Sequence, residues 1–184
     1  MAMAVTASLG RWQLRRAADK EAYQTQLDAR AALPPLDGRS VLTPPSSAAQ
    51  EALLHRTVAL QGEWLPQYTV YLDNRQQHGR PGFYVLTPLH LAGVSPASGQ
   101  PQTVLVQRGW APRNFESRTA LPPVDTPAGL VQVHGRIAAQ PARLMELQAP
   151  ADASGASRIR QNLDTDSFAR EIGQPLAALT VVQT

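Results

Sequence analysis

From His55 to the end of the chain, apolar residues fall mostly at every second position. Val58 and Leu60 alternate with Ala59 and Gln61, and similar stretches recur, each closed by glycine, proline or asparagine. Such a period puts alternate side chains on one face of an extended strand, so most of the sequence reads as β. Strands are predicted over 56–61, 69–73, 82–91, 103–108, 130–137 and 176–182. Turn chemistry separates them at Asn74, at GRPG (79–82), over 93–101, at Pro122 and Pro123, and over 151–155. The strings TVALQGEW (57–64) and LVQVHGRI (130–137) echo one another, each an alternating strand running into glycine. Glycine there marks a bulge or sharp bend, which favours a curled sheet over a flat one.

Helices precede the strands and return near the end. Leu9, Trp12, Tyr23, Leu27 and Ala31 keep a three-to-four-residue period, predicting a helix over 9–33 that stops at Pro34 and Pro35 and is charged on its other face. Ser47 with Gln50 reads as a capping box opening a short helix through Leu54. A last helix is expected over 166–172, halted by Gly173. The fold class expected is mainly β, a small antiparallel β-barrel or sandwich with flanking α-helices. At 184 residues the chain is long enough to bury one core. Its 43% hydrophobic and 17% charged residues separate it from disordered chains, and a mean hydropathy of -0.25 separates it from bundles of membrane helices.

Much chemistry is excluded by what is missing. There is no cysteine, hence no disulfide, CxxC metal site or thiol nucleophile. His55, His78, His90 and His134 form no HxxxH, HExxH or HxH pair, so no metal site is expected. Phosphate-cradling GxGxxG and GxxxxGK strings are absent. The nearest approach to a nucleophile elbow is GVSPA (93–97), where Ser95 precedes proline in a loop and opens no helix. No enzyme signature remains, and no catalytic residue is assigned. The charge balance of 17 basic and 14 acidic residues is slight, and Lys20 is the only lysine. Alanine and proline are also abundant, so a compositional bias explains the arginines as well as anionic partners would.

The strings that stand out are LGRWQLRRAADK, VYLDNRQQHGRPGFYVLTPL, VLVQRGWAP and IRQNLD, each with polar, glycine or proline residues where a strand is usually unbroken. At Arg108, Gly109 and Trp110 a guanidinium and an indole end a strand. The residues alone suggest a core tryptophan, an arginine capping carbonyls and a glycine for a bend.

At these strings the chain resembles the surfeit locus protein 1 (Shy1) family of cytochrome c oxidase assembly factors, over almost its full length. The matching residues are LGxWQxxRxxxK from Leu9 to Lys20, the strand end at Gly62, LDNR (72–75), GRPGFYVLTPL (79–89), VLVQRGWAP (104–112), the second glycine strand to Gly135, and QNLD (161–164). Within them Trp12, Gly62, Gly82, Pro88, Gly109 and Gly135 read as structural. The resemblance implies two membrane helices flanking one β-rich domain. Residues 1–33 would then be the end of an anchor and a juxtamembrane helix, and 34–184 the extramembrane domain. The apolar run MAMAVTASL covers about 14 Å as helix, under half of a hydrocarbon core of about 30 Å. Its basic residues follow rather than precede it, opposite to a signal peptide. The implied home is the inner membrane of a bacterium, with the domain facing the periplasm.

The resemblance further implies that the protein helps insert or stabilise haem a in the main subunit of a haem-copper oxidase. The partners would be that subunit and the proteins that make or deliver haem a. In bacterial relatives the haem-linked histidine lies in the second membrane helix, which this sequence does not include, so no haem is expected on this chain alone. Arg75, Arg108, Trp110, Asn74, Gln161 and Asn162 are the candidates for a face that docks a partner or haem, the guanidiniums offering paired hydrogen bonds to carboxylates. The rival reading is a small basic barrel binding single-stranded nucleic acid. Aromatic residues are only 5% and do not recur among the basic residues of the strands, so nucleic acid is not expected as a partner.

Overall fold

The computed structural model describes residues 2–44, 46–94, 101–114, 120–141 and 157–184, with side chains from residue 11 onward. The order is α1 (Ala2–Ala31), β1 (Leu36–Asp37), α2 (Arg39–Leu42), α3 (Ser47–Leu53), β2 (Thr57–Trp64), a 3-10 turn (Pro66–Tyr68), β3 (Val70–Gln77), β4 (Arg80–Leu91), β5 (Thr103–Pro112), β6 (Leu130–Ala138), β7 (Ile159–Arg160), α4 (Thr165–Ile172) and β8 (Leu176–Gln183). The mainly β fold with flanking helices is as the sequence predicts. Ser95 and the turn expected over 151–155 lie outside the described residues.

The eight strands form one sheet in the order β1-β2-β6-β8-β5-β4-β3-β7, and β2 also pairs with β4. That extra pairing links β2, β6, β8, β5 and β4 in a ring, so the sheet rolls on itself. Alternation explains the core: Val58, Leu60 and Trp64 of β2 meet Leu89 and Leu91, Val104 and Val106, Val133 and Ile137, and Leu179 and Val181 in one buried cluster. The opposite faces of β3, β4 and β5 give Val70, Leu72, Leu86 and Leu105 to a second cluster, which Phe168 and Ile172 of α4 cover. The glycines of the two echoing strings stand where the roll is tightest. Gly62 pairs with both Leu91 and Val131, and Gly135 with both Val58 and Gln183.

Pro88 sits within β4 without breaking it. The same edge of β4 pairs with β3 up to Leu86 and with β2 from Leu89, so the missing N–H falls between two ladders. The Pro88 carbonyl accepts from the Leu65 N–H at 2.9 Å.

Several expectations need correction. The sheet is not wholly antiparallel: β1–β2, β3–β7 and β5–β8 run parallel. Alternation fixes which face a residue takes and is silent on strand direction. Asn74 does not end a strand, because β3 continues to Gln77. GRPG is not itself the turn: His78 and Gly79, at φ 50 and 74, make it, and Pro81 and Gly82 already belong to β4. β5 likewise runs past Arg108 to Pro112. The cap of α3 is Ser46, whose hydroxyl accepts from the Ala49 N–H at 3.2 Å, rather than Ser47. The last helix starts from an Asp164 cap and stops at Gly173 with φ 65.

α1 forms as the period predicts, over Ala2–Ala31 rather than 9–33, and its apolar stripe is not buried: from Arg11 to Ala31 every residue is exposed except the half-buried Leu27. Good helix formers and local pairs such as Gln24 to Asp28 at 2.9 Å support it in place of packing. No helix among the described residues is long and apolar enough to cross a membrane.

Candidate functional site

Two β-bulges flank the same stretch of β4, and both come from the unusual strings. In β3 the register steps from Leu72 opposite Tyr84 to Arg75 opposite Gly82, so LDNR holds one residue more than its partner. Asn74 adopts φ 58, a conformation its short polar side chain tolerates, and the Asp73 carboxylate accepts the Asn74 N–H at 2.7 Å. In β5, Gly109 lies opposite Val85 and Gln107 opposite Leu86, leaving Arg108 as the extra residue. Gly109 takes φ 149, which a side chain there would strain.

The first bulge turns Arg75 inward. The residue is 5% exposed, and its Nη2 donates to the Gln161 carbonyl at 3.0 Å, holding the segment that joins β7 to α4. The Arg75 carbonyl in turn accepts from Trp110 Nε1 at 2.8 Å. Trp110 packs against Gly82, where an added Cβ would come 2.5 Å from the indole and run into the Ala111 carbonyl. Burial lowers the Arg75 pKa from its usual value, with Tyr84, whose ring centroid is 5.9 Å from the guanidinium, and Asp73 opposing that shift. Asn74, Arg75, Trp110 and Gln161 thus converge on one corner, and Asn162 follows directly.

Arg108 does not join them. Aimed by the second bulge, it donates to Thr126 Oγ1 at 2.6 Å and to the Asp125 carbonyl, and its guanidinium lies 4.4 Å from the Trp64 ring centroid. Tyr71 helps hold the same segment through its hydroxyl to the Pro122 carbonyl at 3.0 Å. Burial lowers the Arg108 pKa as well, against Asp125 and Tyr71. The residues alone suggested an arginine capping carbonyls beside a bent glycine, as found, and a core tryptophan, whereas Trp110 is half-buried.

The exposed side of the bulged corner is a cleft of about 410 Å³ lined by Asp73, Asn74, Pro81, Arg113, Arg160 and Gln161, with Ile159. Its charges are neutralised in pairs. Arg113 binds Asp73 and lies 5.4 Å from the Phe83 ring. Arg160 grips Glu171, with Nη1 to Oε2 at 2.8 Å, and lies 5.2 Å from the Phe168 ring. The Asn74 and Gln161 side chains are exposed beside these pairs. The exposed carboxamides offer both donors and acceptors of neutral hydrogen bonds. Arg113, Arg160 and Glu171 were missed by sequence reasoning. Arg160 does stand in IRQNLD, but no spacing rule pairs it with a residue eleven positions on in a separate helix.

His55 and His78 lie at positive φ, and His90 Nδ1 is 3.2 Å from Thr103 Oγ1. His134 lines a second open cleft, about 460 Å³, with Asp37, Arg39, Gln61 and Gln132. That polar surface is not the enclosed apolar slot, with an inward axial ligand, that a porphyrin needs. No group of three His, Cys, Asp or Glu among the described residues could hold a metal ion. Among the described residues the exposed large apolar side chains are Trp12, Leu14, Tyr23, Leu33 and Leu130.

A family model described as the SURF1 family matches residues 1–184. Among curated proteins, the chain is similar to a SURF1-like protein of Rickettsia felis, 28% identical over 105 residues, which is 56% of this chain and 40% of that protein. It is also similar to a SURF1-like protein of Rickettsia conorii, 27% identical over 105 residues, covering 56% of this chain and 38% of the other. The matched stretch therefore spans well under half the length of these relatives.

Proposed function

Because the chain belongs to the SURF1 family, we propose that it is the extramembrane part of a non-catalytic assembly factor for a haem-copper oxidase, and that it assists haem a insertion or stabilisation by docking the main subunit at the cleft beside the β3 bulge. Residues 34–184 are the docking domain in this reading, and residues 1–33 lead towards the membrane, with the domain on the periplasmic side. Haem a is held by the partner or by parts of the protein outside these 184 residues. The chain's own residues offer contacts to protein.

One observation carries the reading. LDNR, GRPGFY, RGW and QNLD, widely separated in sequence, supply a single corner in which Arg75, Gly82 and Trp110 are structural and Asn74 and Gln161 are exposed. A buried scaffold holding two exposed carboxamides in place is how a small docking surface keeps its geometry.

The test is the double variant Asn74→Ala, Gln161→Ala in the full-length protein, with haem a per oxidase measured in membranes. Loss of two central contacts should lower that ratio about fivefold or more. Thermal unfolding should shift by about 2–4 °C: neither exposed side chain fills a core position, but alanine at the φ of 58 held by residue 74 costs about 1 kcal/mol. A normal haem a content in a stably folded double variant contradicts the proposal.

A further inference from the structure

α1 carries a basic and aromatic face that the described part of the fold leaves open. Trp12, Arg16, Lys20, Tyr23 and Leu27 follow one another at four- and three-residue steps, so they share one side of the helix. Trp12 and Tyr23 are 51% and 57% exposed, and the Arg16 guanidinium lies 5.3 Å from the Trp12 ring centroid. The charge is uneven along the helix. Between residues 11 and 20, Arg11, Arg15, Arg16 and Lys20 face a single carboxylate, Asp19, whereas Glu21, Asp28 and Arg30 follow.

The attachment to the sheet is at the other end. Arg30 Nη1 donates to the carbonyls of Glu51 at 3.4 Å and Leu54 at 3.3 Å, and Arg56 reaches the Pro34 carbonyl at 3.0 Å. The basic half therefore stands about 15–28 Å along the helix from its tether. Rings with a polar edge, interleaved with long cationic side chains on one helix face, match the headgroup layer of a bilayer. A negative surface complements the excess positive charge.

We infer that the Trp12–Arg16–Lys20–Tyr23 face of α1 seats on the headgroups of anionic phospholipid. This deepens the membrane-side placement proposed above, but it stands on the helix alone and needs neither an oxidase nor a spanning segment. It assigns the LGxWQxxRxxxK string a job of its own, orienting the docking domain relative to the bilayer.

The experiment is co-sedimentation of the 184-residue chain with vesicles of equal parts phosphatidylglycerol and phosphatidylcholine, and with phosphatidylcholine alone. Binding should require phosphatidylglycerol, weaken steeply between low and high salt, and blue-shift tryptophan emission. Arg16→Ala with Lys20→Ala should lower the partition about tenfold or more. Trp12→Ala should weaken it and remove most of the blue shift. All these side chains are exposed, so the circular dichroism of the sheet serves as the folding control. Three results would overturn the inference: no preference for anionic vesicles, binding indifferent to these substitutions, or a dimer in light scattering that Trp12→Ala abolishes, which would make a second copy the occupant. Its failure leaves haem a content in the Asn74 and Gln161 variants untouched, so the two readings fail separately.

Discussion

Gly62→Ala is expected to destabilise the domain by about 3 kcal/mol and to lower its melting temperature by roughly 6–12 °C. Gly62 is where β2, paired with β6, also meets β4, opposite Leu91. A Cβ added there is driven into the His90 carbonyl oxygen and lies 2.9 Å from its carbonyl carbon. The obstacle is backbone of a paired strand, so no rotamer change relieves it, and the β2–β4 ladder that closes the roll must part. Gly79→Ala is the control. Its φ of 74 strains a side chain, but nothing lies within 4 Å of the new Cβ, so only about 1 kcal/mol is lost. Thermal unfolding of both variants separates contact from conformation. Equal losses would show that closure of the sheet does not depend on close approach at Gly62.

Arg75→Met is expected to cost about 3 kcal/mol, and to do so locally. The methionine keeps much of the apolar stem, but the charge-assisted bond to the Gln161 carbonyl disappears from a buried site. Trp110 Nε1 binds the backbone carbonyl of residue 75, so that bond survives the substitution. The loss should therefore appear in the segment around β7, which pairs with β3 only through Tyr71 and Leu72, and not in β5. Hydrogen exchange resolves this: amides of 159–163 should lose protection about a hundredfold while those of 104–107 change little. Uniform loss over the sheet would mean that Arg75 is a general core residue rather than the tie between the bulge and β7.

These two sites illustrate how much of the molecule could be read from its residues. Six strands and the first helix were legible because their apolar side chains keep a period, two further helices because of a capping pattern and a glycine stop, and the glycines of TVALQGEW and LVQVHGRI announced a curled sheet. β1, α2 and β7 span two to four residues each, too short to carry a period. The bulges hid themselves for a physical reason: one extra residue shifts the alternation by a step, so Asn74 read as a turn and Arg108 as a strand end when both lie inside strands. The same strings were recognisable by their identity as family signatures. Their geometry explains the demand for those residues, with Asn74 at positive φ, Gly82 beneath an indole and Gly109 at a bend. The pairings across the cleft, Arg113 with Asp73 and Arg160 with Glu171, join segments that only the fold brings together. Exposure of α1 was invisible too, since a helical period marks a face without saying what covers it.

The docking proposal is tested most directly by site-specific photo-crosslinking in cells making the full-length protein, with the crosslinker placed at residue 74, at residue 161, or at His134 on the second cleft. Adducts to the oxidase main subunit from positions 74 and 161, and not from 134, are the predicted result. Adducts from position 134 alone would contradict it, moving the partner surface to the other cleft and leaving the bulged corner a purely structural joint.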